Sequence, residues 1–133
     1  MIGRGRVRAG MLTVGFAVAC GASLRTVPMG PRATEPGAFQ VVDTAPPPAK
    51  IEHVSPDPGP ACAWLDGTWE WTGADWSWRA GAWVVPPPEC TYAPLLVEWV
   101  PTAGHGELFY FPAKWYPTRG KRPCEEPKRC PKR

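Results

Sequence analysis

The sequence predicts a small all-β protein in which Trp-rich β-hairpins form one small sheet or barrel, and three observations lead there. Six of the eight tryptophans fall within "WLDGTWEWTGADWSWRAGAWVV", Trp64 to Val85, where WEW and WSW place two rings on one face of a strand. Two further runs, YAPLLVEWVP and ELFYFPAKWYP, concentrate aromatic and branched residues on either side of a loop-forming TAGHG. The chain has only 133 residues, with 19 prolines and 14 glycines, which bounds it to one domain with a small core. Four parts follow in order: a signal peptide over 1–19, a disordered Pro-rich linker over 20–61, the β domain over 62–117, and a basic Cys-containing tail over 118–133.

The first part, MIGRGRVRAGMLTVGFAVAC, has Arg4, Arg6 and Arg8 ahead of an apolar run from Met11 to Ala19. That run is too short to cross a bilayer as a helix, which takes about 20 residues, and it has the make-up of a secretory signal. Its end, FAVAC, resembles the bacterial lipobox, although Ala17 stands where leucine is usual. The resemblance implies cleavage before Cys20, acylation of that cysteine, and anchoring to a membrane through lipid. Gly21 in place of an aspartate implies an outer-membrane address, facing periplasm or cell surface. Ordinary cleavage after Ala19 is the alternative and would release a soluble periplasmic or secreted protein.

From 20 to 61 the density of proline and the lack of an apolar period predict a disordered tether, extended at up to ~3.1 Å per residue where it adopts polyproline II. Within it FQVV is a candidate short strand that adds to the domain's sheet. His53 has no metal-ligand company and reads as a solvated loop histidine.

In the Trp-rich stretch, WLDGTW and WRAGAW repeat the pattern W-x-x-G-x-W. Folding the chain at TGAD sets Trp71 opposite Trp76, Trp69 opposite Trp78 and Trp64 opposite Trp83. Each aromatic cross-strand pair contributes roughly 0.5 to 1.5 kcal/mol beyond its buried area. Trp64 lies five positions from Trp69, an odd spacing that changes face in a regular strand, so the outer pair either covers the opposite face or is returned to the inner pairs by a bulge or bend at Gly67 and Gly81. These residues, with Pro86 to Pro88 after them, resemble exported bacterial proteins with WxxGxW or YXWGXW-type repeats. That resemblance implies a lipoprotein or envelope protein and carries over no catalytic residue.

The second pair of runs reads as another hairpin, with Pro94 and Pro112 at strand ends. With Cys20 lipidated, Cys62, Cys90, Cys124 and Cys130 form an even set, which in an exported chain reads as a disulfide framework. The expected pairs are Cys62 with Cys90, closing the Trp-rich stretch, and Cys124 with Cys130, closing a basic loop. A zinc site is disfavoured because no CxxC spacing occurs, so no metal and no cofactor is expected.

Seven basic residues from Arg119 onward stand against Glu125 and Glu126, which makes the tail +5, while residues 20–118 carry five basic and ten acidic side chains. Such polarity suits an acidic envelope partner or a solvated tail, and export argues against nucleic acid. For catalysis there is little material: three serines without G-x-S-x-G, and two histidines without HxxxH or HExxH company. Asp66, Glu70, Asp75, Glu89 and Glu98 are carboxylates of the kind glycoside hydrolysis uses, but a domain this small seldom forms the necessary cleft. The expectation is therefore not an enzyme. Two functions remain: an exported, lipid-anchored envelope component of structural or interaction role, or a module binding peptidoglycan or lipopolysaccharide glycan by stacking sugars on Trp64, Trp69, Trp71, Trp76, Trp78 and Trp83. Neither sets an oligomeric state.

Overall fold

Two long hairpins, each broken once in the middle, organise the molecule. Our computed structural model describes residues 23–120 and 122–131, so the signal peptide and Cys20 lie outside the described residues. In the first hairpin β2 (Ala63–Leu65) pairs with β5 (Ala82–Val85) and β3 (Thr68–Trp71) with β4 (Trp76–Arg79); β1 (Gln40–Val42) precedes them in the chain. In the second, β6 (Cys90–Ala93) pairs with β9 (Lys114–Pro117) and β7 (Leu96–Thr102) with β8 (His105–Phe111). A short tail strand, β10 (Lys128–Arg129), completes the set. Among the described residues there is no helix, as expected of an all-β fold.

The breaks follow from composition. Leu65 pairs with Ala82 and Thr68 with Arg79, so Asp66 and Gly67 leave the ladder on one strand while Ala80 and Gly81 leave it on the other. Equal numbers drop out on both sides, and the register therefore runs through the gap without a bulge. In the second hairpin Ala93 pairs with Lys114 and Leu96 with Phe111, which omits Pro94 and Leu95 opposite Pro112 and Ala113. Glycine weakens a strand interior and proline lacks the N–H a ladder needs, so both hairpins divide where these residues sit. The result is four small antiparallel sheets, ordered β1-β8-β7, β10-β5-β2, β3-β4 and β6-β9, rather than the single sheet or closed barrel that the Trp pattern suggested.

The tips meet expectation more closely. TGAD closes the first hairpin, with the Thr72 amide and hydroxyl donating to the Asp75 carbonyl at 2.9 Å each. The second closes more tightly than TAGHG implied: His105 pairs with Thr102, which leaves Ala103 and Gly104, the latter at φ 91°, as a two-residue turn.

Residues 23–61, expected as a disordered tether, are laid over both hairpins. The backbone of Arg25 to Val27 bonds that of Trp64, and Pro28 and Gly30 bond Tyr92, so one segment stitches β2 to β6. FQVV does add a strand: Gln40, Val41 and Val42 pair with Tyr110, Phe109 and Leu108. Composition misled here because this segment needs no core of its own. It is held by hydrogen bonds to a body that already has one.

The core lies between the hairpins. Ala63, Leu65 and Val84 of the first pack with Tyr92, Cys90 and Trp115 of the second, together with Val27. On the other side of the β2–β5 sheet, Trp64 and Trp83 pack with Cys62, Val54 and Cys130. The tail returns to this place, where β10 pairs with β5 and the Cys130 amide donates to the Trp83 carbonyl.

The disulfides are Cys62–Cys130 and Cys90–Cys124, which corrects the expected pairing. All four expected cysteines are bonded, but Pro86 to Pro88 lead the chain out of β5 into the second hairpin and carry Cys90 away from Cys62. The tail then crosses both hairpins and is tied to each. It is not a closed loop of its own, and the domain extends past 117 to include it.

Candidate functional site

The six clustered tryptophans form a ladder of three cross-strand pairs: Trp71 with Trp76, Trp69 with Trp78, and Trp64 with Trp83, in the register the spacing predicts. Their rings meet at 62°, 69° and 71°, with centroids 5.2, 5.1 and 5.7 Å apart. This edge-to-face arrangement sets the positive rim of one ring on the negative face of its partner. Tilted pairs offer no coplanar platform. Trp64 and Trp83 are buried and the other four are half-buried.

A proline-rich strap, residues 44–55, runs along this ladder and takes up its polar edge. Indole N–H groups donate from Trp76 to the Thr44 carbonyl at 3.1 Å, from Trp69 to Pro48 at 3.2 Å and from Trp83 to Ser55 at 3.0 Å. Trp78 donates to the Glu52 carboxylate at 3.1 Å, and Trp64 to Asp66 at 2.8 Å. The strap thus touches inner and outer rungs alike. It shows that the outer pair joins the inner pairs on one face, brought round by the break at Gly67 and Gly81. Lys50 adds a cation 5.2 Å above the Trp69 ring.

Glu52 sits at that break. Its carboxylate accepts the Gly67 amide at 3.0 Å and the Gly81 amide at 2.9 and 3.0 Å on its two oxygens. These N–H groups have left the ladder and need an acceptor. The second hairpin shows the complementary solution: its break frees carbonyls, and the Arg32 guanidinium donates to those of Pro112, at 2.8 Å, and Pro94. Arg32 also lies over the rings of Phe111 and Tyr116 at 5.7 and 6.0 Å. A glycine break is filled by an anion and a proline break by a cation. Sequence reading missed both residues because each lies in the presumed tether, and the only available signal was a lone charge among prolines.

The face opposite the strap is polar at its tip. Glu70 pairs with Arg79, which also donates to the Tyr92 hydroxyl at 3.3 Å. Burial opposes the Arg79 charge, yet the Glu70 hydrogen bond and the Tyr92 oxygen hold its pKa above the ordinary value. Burial pushes the Tyr92 phenol up, partly offset by Arg79. It does the same to Tyr110, whose ring meets Trp76 edge-on at 5.0 Å. A hydrogen bond from Lys114 to Glu35, 2.8 Å long, raises the lysine. A cleft of about 640 Å³ opens here between Glu35, Glu70, Tyr92, Trp115, Lys114 and the tail at Glu125 and Glu126. Of the other candidate carboxylates, Asp75 lies in the β3–β4 loop, Glu89 in the turn before β6 and Glu98 on β7. They are not brought together, and among the described residues no group of three or more His, Cys, Asp or Glu is placed to hold a metal ion.

Among the described residues the most exposed aromatic is Trp99 of β7, 64% exposed and outside the repeats. On the other face of the β1-β8-β7 sheet from Trp99, Phe39 stacks on Phe109 at 4.4 Å, with Val41 and Leu96 exposed beside them and Glu98 across from Phe109.

A protein-family model described as a WXXGXW repeat in two copies matches residues 63–84, the whole of β2 to β5 apart from Val85. Comparison with curated proteins and with solved structures finds no match.

Proposed function

We propose that this protein is exported, anchored by lipid on Cys20, and serves the cell envelope as a non-enzymatic structural or interaction component. The observation that carries this reading is the state of the ladder. All six rings are at least half-buried, and five indole N–H groups are bonded within the chain. The tryptophans are therefore used to hold the fold, in place of the larger core that a domain of this size lacks. Two disulfides fit an oxidising compartment. The exposed Phe39, Val41 and Leu96 around Phe109 on one face of the β1-β8-β7 sheet, and Trp99 on its other face, offer apolar contact points to an envelope partner.

Acrylamide quenching of residues 21–133 carrying Trp99→Phe tests the ladder's role. Blue-shifted, poorly quenched emission that ignores peptidoglycan fragments and lipopolysaccharide is expected. Emission that quenches freely and is protected by either glycan would replace this reading with sugar binding. Membrane fractionation tests the anchor: Cys20→Ser is expected to leave the membrane fraction, and its full retention there would remove the lipid from the proposal.

A further inference from the structure

Three donors supplied by the repeats, the amides of Gly67 and Gly81 and the indole N–H of Trp78, converge on the oxygens of one carboxylate. We propose that the paired WxxGxW repeats form a carboxylate-binding site, filled in this chain by Glu52 as a tethered ligand and open to a free carboxylate once that side chain is removed. This goes beyond the envelope role and does not depend on it.

The donors belong to the hairpin and not to the strap. Gly67 and Gly81 hold the same position in the two repeats, and exchanging the repeats exchanges the Trp64–Trp83 pair for Trp78–Trp69. The ladder is intact on both sides of the gap, at Leu65 with Ala82 and at Thr68 with Arg79, so two clamps hold the amides facing the same point. Convergent N–H groups with no acceptor among them favour an anion. Two amides from opposite strands match the two oxygens of a carboxylate. The glycines are what make room: a Cβ on Gly81 would stand 2.6 Å from Glu52 Oε2 and 2.7 Å from Trp64 Cζ2. One on Gly67 would strike the Trp78 ring.

The ligand is held through its head group more than its stem. Lys50, Ile51 and His53 around Glu52 are exposed, Ile51 completely, and Glu52 is itself half-buried. Removing its side chain therefore leaves a donor-lined space within reach of solvent.

The test uses Glu52→Ala in the chain from residue 21 onward, which holds every described residue, with sodium formate against sodium chloride at equal ionic strength. Formate is expected to raise the Tm of Glu52→Ala by about 3–6 °C over chloride. It should also move the amide protons of Gly67 and Gly81 and the indole proton of Trp78 downfield. Wild type and Glu52→Gln, in which a side chain still fills the space, should respond to formate and chloride alike. If Glu52→Ala is unfolded in chloride, recovery of its fold in formate supports the site. A variant that gains neither stability, nor fold, nor the proton shifts from formate overturns the proposal.

Discussion

At Gly81 no side chain fits between Glu52 and Trp64, and at Gly67 none fits beneath Trp78. Both neighbours are held, one by hydrogen bonds and one by an aromatic pair, so neither can yield cheaply. Gly67→Ala and Gly81→Ala are each expected to lower stability by about 1–3 kcal/mol, read as a lower urea midpoint with unchanged slope. Arg32→Met strips donors from the Pro94 and Pro112 carbonyls and should cost about 1.5–3 kcal/mol by the same measurement. Tyr92 and Tyr110 set an alkaline limit. Burial raises both phenols in the folded state, so the unfolded chain releases their protons first. Stability is then full below the ordinary tyrosine pKa of about 10 and falls as pH rises above it toward the folded values. Urea unfolding at pH 8 and pH 10.5, with ultraviolet titration of the phenols, checks the sign; equal stability at both would contradict it. The repeat glycines were visible in the sequence as a motif. Their reason was not, because Glu52 lies 15 and 29 positions away.

At the scale of elements, the hairpins could be read from local pattern, since cross-strand register follows once a loop and a period of two are fixed. The pairings of Trp71, Trp69 and Trp64 depend only on TGAD and on equal omissions at the break. Which face Trp64 takes was not readable, because five residues that include a glycine bend have no fixed parity. The strap was missed for a different reason. Its carbonyls are bound by indoles 21 to 32 residues away, and proline density looks the same in a tether and in a docked segment. Its rigidity is useful there, as it loses little entropy on docking. Replacing Pro46, Pro47 and Pro48 together by glycine should lower stability by roughly 1–3 kcal/mol and make the ladder more open to acrylamide. Loss of stability without greater quenching would mean that the prolines act only through the unfolded chain.

Over the whole molecule the two disulfides are nested, with Cys90–Cys124 inside the span of Cys62–Cys130. Loops of 34 and 68 residues each correspond to about 4 kcal/mol in the chain-entropy picture, less than additively because one lies within the other. That is comparable with the whole stability of a small domain. Peptide mapping without reduction should find the pairs 62–130 and 90–124, and a Cys62–Cys90 fragment would reject the tail's path across both hairpins. Reduction should unfold the chain at 37 °C, followed by the red shift of tryptophan emission. The surface ion pairs Arg25–Asp57 and Glu35–Lys114 are exposed and contribute little beside this.

The all-β class, the two hairpins, the ladder's register and the set of bonded cysteines were legible in the residue order, because each rests on periodicity, turn chemistry or counting within a short span. The paths of the proline-rich segment and the tail, the pairing of the cysteines, and the charge that answers each break came only with the packed molecule. Those outcomes depend on groups far apart in the chain meeting unpaired backbone N–H or C=O groups. Such a need exists only after the hairpins have formed and left those groups without partners.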